Sequence, residues 1–222
     1  MLTTCDDASM SSVEPVVVQT RDGLRLEGEL AVPDNVQGAV VLSHPHPMHG
    51  GNMRSIVVGA LFAGLPKHNI ACLRFNFRGI GNSEGAFEDG VGERLDIVAA
   101  LDLVFPIVEG VPLVLVGWSF GADTSLTVGD PRISGWCAIA PPLRPRALEA
   151  AVAASDERPK LLLVPQNDQF RNPNSARQAI SSWNATRVSE VPGADHFMVG
   201  RTDRVVNECA AFINDLAGAQ SN

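Results

Sequence analysis

The stretch LVLVGWSFGAD, residues 113–123, decides the fold. Its first part, residues 113–116, is a continuous aliphatic run that stops at Gly117. A short apolar run that ends at a turn residue is typical of a strand with both faces buried. Ser119 follows between two glycines, and the residues after it are compatible with a short helix. The pattern therefore predicts a serine on the tight turn between a buried strand and a helix.

The rest of the chain repeats this alternation of apolar runs and helical periods, which is typical of a parallel sheet wrapped by helices. The runs are GAVVLSH, IACLRFNF, PLVLVG, SGWCAIA, KLLLVPQ and TRVSEVP. Before them, VVVQT and LRLEGELAV flank a turn at residues 21–23 and indicate an antiparallel hairpin. We predict an α/β fold of about eight mostly parallel strands with helices on both faces. One domain should span residues 1–222, with residues 1–12 as a flexible tail.

Composition argues against several classes of partner. The chain has 17 basic and 25 acidic residues, a net charge of −8, and no basic run of the kind that binds nucleic acid. We find no secretory signal and no apolar stretch long enough for a membrane helix, so we expect a cytoplasmic protein that binds no membrane. The cysteines have no metal-binding spacing and are expected to be structural thiols: Cys5, Cys72, Cys137 and Cys209.

A serine hydroxyl needs a base to become a nucleophile, and the base needs a carboxylate to orient it. His196 lies in the loop PGADHFMVGR, between the last predicted strand and the last predicted helix. Asp168 follows the buried run KLLLVPQ, whereas Asp195 adjoins the histidine too closely to turn back on it. Parallel strands present their carboxyl ends at one sheet edge, so the order Ser119, Asp168, His196 predicts a catalytic triad there.

With these motifs the chain resembles the α/β-hydrolase superfamily, from the strand at Ala39 to the last helix. The stretches SHPHPMHGGNM and LRFNFRGIGNSEG are similar to those of small, lidless bacterial hydrolases with the layout of dienelactone hydrolases. Dienelactone hydrolases carry a cysteine nucleophile, whereas this chain has Ser119, which favours serine-ester chemistry. The resemblance implies no cofactor.

The resemblance also implies an oxyanion hole made of two backbone N–H groups. The first maps onto Phe120, and the second comes from the loop HPHPMHGG. Pro45 and Pro47 have no N–H, which leaves His46 as the expected donor and Met48 as the alternative.

The histidines of the same loop raise the alternative of a metal site, since three imidazoles lie within six residues: His44, His46 and His49. The interleaved prolines stiffen this segment, and no nearby carboxylate or cysteine completes a ligand set. We therefore predict no metal site.

The superfamily usually carries a lid after the sixth strand, but here only PPLRPRALEAAVAASDERPK lies at that point. This segment has room for one small helix, so we expect no substantial lid. The site should be open and shallow, suited to short acyl esters or to the exposed end of a larger acyl compound. Four residues near the triad in sequence are predicted to form its apolar wall: Trp118, Phe170, Phe197 and Met198.

These features predict a carboxylesterase-like serine hydrolase that cleaves short-chain carboxylic esters through an acyl-enzyme. Its partner would be a small-molecule ester, and its state a monomer or a homodimer. The same triad also fits a thioesterase or an acyltransferase. A non-catalytic interaction scaffold is the alternative from another class, because fold alone does not determine function.

Overall fold

The computed structural model describes residues 12–220 and shows one eight-stranded sheet within them. Most of the predicted tail, together with Cys5, lies outside the described residues. The strands are β1 (Val13–Gln19), β2 (Arg25–Ala31), β3 (Gly38–Ser43), β4 (Ile70–Phe75), β5 (Leu113–Trp118), β6 (Gly135–Ile139), β7 (Lys160–Pro165) and β8 (Thr186–Val191). Their spatial order is β1-β2-β4-β3-β5-β6-β7-β8. β2 runs antiparallel to both β1 and β4, and all the other neighbours are parallel. The predicted α/β fold is thus confirmed.

Helices cover both faces of the sheet, as predicted. They are α1 (Ile56–Gly64), α2 (Glu93–Val104), α3 (Phe120–Ser125), α4 (Pro145–Ala150), α5 (Pro173–Ala179) and α6 (Thr202–Gln220). Buried side chains of α2, α3 and α5 pack on one face, and those of α1 and α6 on the other. Within the part of the chain that the structure describes, no helix is long and apolar enough to cross a membrane.

The continuous aliphatic runs are explained by these two cores. In β5, Leu113 and Leu115 enter the core beneath α2, whereas Val114 and Val116 enter the core beneath α1 and α6. Strand side chains alternate between faces, so a strand buried on both sides needs an apolar residue at every position. Each fully buried Leu or Val contributes about 1.5–3 kcal/mol by the hydrophobic effect.

The connection between β6 and β7 contains only α4 and a turn of 3₁₀ helix at Val152–Ser155. A six-residue helix cannot cover a sheet edge, so the prediction of no substantial lid is confirmed. The carboxyl ends of β3, β5, β6, β7 and β8 therefore meet at an accessible edge.

Candidate active site

Ser119 occupies the turn between β5 and α3 in a strained backbone conformation, with φ 55° and ψ −117°. Few residues other than glycine adopt a positive φ, so the surrounding structure must hold the serine there. A Cβ atom at Gly117 would collide with the backbone of Gly121, and one at Gly121 would collide with the carbonyl of Ser43. The glycines on either side of Ser119 therefore allow the strand and helix to approach closely enough to form the turn.

The structure brings the side chains of Ser119, His196 and Asp168 together. Nε2 of His196 lies 2.8 Å from Oγ of Ser119, and Nδ1 of His196 lies 2.8 Å from Oδ2 of Asp168. An ionised carboxylate only accepts hydrogen bonds, so Nδ1 of the imidazole carries the proton. In the neutral ring, Nε2 is then left to accept the serine O–H.

Asp168 is fixed by its own loop as well as by the histidine. Its Oδ1 accepts the backbone N–H groups of Phe170, at 2.7 Å, and Arg171, at 3.2 Å. Its side chain is 0% exposed. The two carboxylate oxygens thus have separate partners, one in the loop after β7 and one on His196.

Arg171 and Asp123 hold the neighbouring loop after β6, and sequence reasoning did not identify either of them. The Arg171 guanidinium donates to the carbonyls of Pro142 and Leu143, both at 3.0 Å. The buried Asp123 accepts the backbone N–H of Leu143 at 2.9 Å, although desolvation raises the pKa of its carboxyl group. The available sequence signal for Asp123 was an acidic residue one helical turn after Ser119, in an otherwise apolar and small-residue segment.

A cavity of about 710 Å³ opens beside Ser119 and His196. The aromatic residues Trp118, Phe170 and Phe197 line it. The Phe170 ring stands edge-on to the His196 ring, with 4.6 Å between centroids.

The prediction that Met198 forms part of the wall of this cavity is wrong. Its side chain is fully buried in the core beneath α1 and α6 and does not line the cavity. The chain turns at Met198, where φ is 57° and the backbone N–H donates to the carbonyl of Asp195 at 3.1 Å, and the thioether packs among the core residues. Met198 is therefore close to His196 in sequence but does not face the cavity.

The loop after β3 contains both candidates for the second oxyanion donor, His46 and Met48. The N–H of Met48 donates to Nδ1 of His46 at 3.2 Å, so it is already engaged. Within residues 12–220, the backbone N–H groups of His46 and Phe120 have no hydrogen-bond acceptor. Both residues line the cavity beside Ser119, which favours His46 over Met48.

His44 holds this loop against the end of β4. Its Nε2 accepts the backbone N–H of Phe77 at 3.0 Å, so Nδ1 carries the proton and donates to the carbonyl of Pro45 at 2.7 Å. Burial lowers the pKa of His44 to about 4, and the ring is neutral at ordinary pH.

The neutral state of His44 predicts a specific pH dependence of stability. An unfolded histidine binds a proton below about pH 6.5, whereas the folded one does so only near pH 4, so stability falls as pH drops between these values. From pH 7 to pH 5, the wild type should lose about 2 kcal/mol more unfolding free energy than His44→Gln. Urea unfolding at the two pH values measures this difference, and equal losses would contradict a buried neutral imidazole.

The three histidines of the loop do not converge on one point. His44 is buried against Phe77, whereas the rings of His46 and His49 lie 4.7 Å apart at the cavity. Among the residues that the structure describes, no group of three or more potential ligands could hold a metal ion.

Comparison with known proteins agrees with the observed architecture. No protein-family model matches the chain. The uncharacterized protein RP471 of Rickettsia prowazekii is 33% identical over 211 residues, which cover 89% of this chain and 87% of the relative. The solved structure of an α/β serine hydrolase homologue from Coxiella burnetii is 28% identical, with a TM-score of 0.80 over 90% of this chain and 97% of the other.

A lidless α/β serine hydrolase from Xanthomonas campestris shares the fold at 24% identity, with a TM-score of 0.78 over 88% of this chain and 91% of the other. The sheet order, the serine turn after β5 and these similarities lead to one assignment. The chain has the α/β-hydrolase fold without a substantial lid, and it is similar to an α/β serine hydrolase homologue.

Proposed function

We propose that the protein is a serine hydrolase that cleaves short-chain carboxylic esters through an acyl-enzyme intermediate. The observation that carries this proposal is the continuous hydrogen-bond chain from Oγ of Ser119 through His196 to Asp168, with 2.8 Å at each step. A scaffold has no need for this alignment of three loops beside an open cavity.

In the first half of the proposed reaction, Oγ of Ser119 attacks the ester carbonyl carbon while Nε2 of His196 takes its proton. Asp168 stabilises the resulting imidazolium through Nδ1. The carbonyl oxygen becomes an oxyanion, for which the N–H groups of Phe120 and His46 are the proposed donors. When the tetrahedral intermediate collapses, the ester C–O bond breaks, and His196 protonates the departing alkoxide.

In the second half, water takes the place of the alcohol. His196 removes a proton from the water as its oxygen attacks the acyl carbon. The bond from the acyl carbon to Oγ of Ser119 then breaks, and the proton returns to the serine. The net reaction consumes one ester and one water and yields one acid and one alcohol.

The size and openness of the cavity support small esters as substrates. A volume of about 710 Å³ must hold both the acyl and the alcohol portion, because the connection from β6 to β7 adds no further enclosure. Trp118, Phe170 and Phe197 give this space an apolar wall. Such a wall favours short aliphatic chains by burying their surface.

The proposal is tested with p-nitrophenyl acetate, butyrate and octanoate, and with the S-butyryl thioester of a matched thiol. We expect kcat/KM to be highest for acetate or butyrate and to fall for octanoate. A fluorophosphonate probe should phosphonylate Ser119 alone, with loss of fluoride. A preference for the thioester over its oxygen ester would establish a thioesterase, and preferential transfer to an added alcohol would establish an acyltransferase.

A further inference from the structure

Arg144 lies in the wall of the catalytic cavity, and the proposed mechanism does not use it. It follows the loop after β6 and also borders a second, smaller cavity of about 310 Å³. Its guanidinium carbon lies 5.1 Å from the centroid of the Phe120 ring, and Phe120 directly follows Ser119. A cation is thus held close to the residue next to the nucleophile.

The backbone N–H and Nε of Arg144 are held by hydrogen bonds, whereas its terminal nitrogens, Nη1 and Nη2, are not. Nε donates to Oδ2 of Asp123 at 3.2 Å, and the backbone N–H of Arg144 donates to the same oxygen. Nη1 lies 3.9 Å from Asp89, beyond hydrogen-bond distance, and the Asp89 side chain is 56% exposed, so water weakens this pair. Across residues 12–220, neither Nη1 nor Nη2 makes a hydrogen bond. Their N–H groups are therefore available to a ligand.

The charge of the cavity wall differs from that of the whole chain. The chain has a net charge of −8, but among residues 12–220 no Asp or Glu lines the cavity, whereas Arg144 does. His46 and His49 also line the cavity, and burial lowers the pKa of His46, so the His46 ring is neutral at pH 7. A bound molecule therefore meets the positive charge of Arg144 and no carboxylate from the described residues of the cavity wall.

We propose that Arg144 is a specificity-determining residue that binds a carboxylate on the substrate, so that the preferred esters are anionic. A guanidinium presents paired N–H donors in a plane, which matches the two oxygens of a carboxylate. The inference rests on the proposed ester hydrolysis and adds the class of ester. The apolar wall contacts the chain of the substrate, and Arg144 contacts its charged end.

The experiment uses two pairs of esters that differ only in whether a carboxylate is free or methylated. One pair, mono-p-nitrophenyl glutarate and its methyl ester, carries the charge on the acyl side. The other, 4-(carboxymethyl)phenyl butyrate and its methyl ester, carries it on the leaving group. In at least one pair, kcat/KM of the wild type should be at least about tenfold higher for the anionic ester than for its methyl ester. This is the effect expected of one charge-assisted hydrogen bond.

Arg144→Gln should remove this preference while retaining hydrolysis of the neutral esters, because the glutamine amide can still donate to Asp123. Arg144→Lys should retain part of the preference. Arg146→Gln is the matched control, since Arg146 is an exposed arginine of the same segment that borders only the smaller cavity. It should leave the preference within about twofold of the wild type.

A wild type that hydrolyses the neutral esters but prefers neither anionic one would overturn the role of Arg144 and leave ester hydrolysis intact. A preference that persists in folded Arg144→Gln would also overturn it. If that variant does not fold, the wild-type ratios decide. If no ester of either pair is hydrolysed, the proposed function fails, and this inference fails with it.

Discussion

Replacing Ser119 by alanine is expected to lower kcat/KM for p-nitrophenyl butyrate by at least about 10³-fold. The change removes Oγ, the atom that lies 2.8 Å from Nε2 of His196, and leaves no nucleophile at that position. His196→Ala should have an effect of the same order, because an unassisted hydroxyl is a poor nucleophile at neutral pH. Steady-state hydrolysis with purified variants, after confirmation of their folding by thermal unfolding, measures both effects.

The double variant Ser119→Ala/His196→Ala should be no slower than the slower of the two single variants, since the two side chains act as one unit. Ser125→Ala is the matched control on the same helix. The Ser125 hydroxyl is buried and has no hydrogen-bond partner within residues 12–220, so its loss should leave kcat/KM within about twofold. Residual activity above a tenth of the wild type in Ser119→Ala would place the nucleophile elsewhere.

Asp168→Asn is expected to lower kcat by about 10⁴-fold with little change in KM. The reason is that the histidine then adopts the wrong tautomer, as in the equivalent variants of serine-protease triads. Here the direction of the amide is determined by the loop, because Oδ1 of Asp168 accepts the N–H groups of Phe170 and Arg171. An asparagine that preserves those bonds must direct its NH₂ group at His196. Nδ1 then has to accept, Nε2 carries the proton, and the ring can no longer take the proton of Ser119.

Asp195→Asn provides the control for this prediction. Asp195 adjoins His196, but among the described residues its Oδ1 accepts only the nearby N–H of Phe197, which an asparagine oxygen can also do. Its kcat should remain within about twofold of the wild type. If Asp168→Asn retained more than about a tenth of the wild-type kcat, Asp168 would not be the orienting acid.

Much of the fold could be predicted because buried strands and helices carry apolar residues at regular positions in the sequence. The aliphatic run at residues 113–116 indicates a strand between two cores, and the order of loops after parallel strands indicates where Ser119, Asp168 and His196 meet. His46 is the expected second oxyanion donor, but a local pattern does not decide the choice between His46 and Met48. It depends on which N–H groups the folded loop already engages, and the sequence shows only that prolines cannot donate.

The sequence by itself determined the α/β class, the parallel sheet and the three residues of the proposed triad, because each depends on periodicity and on position after a strand. Only the tertiary structure decided that Met198 enters the core and that Arg144 reaches the cavity. Met198 packs at a loop turn against core residues from distant elements, and Arg144 is held by Asp123, 21 residues earlier in the chain. Contacts between distant segments depend on how loops fold over the sheet edge, and local patterning carries no information about that geometry.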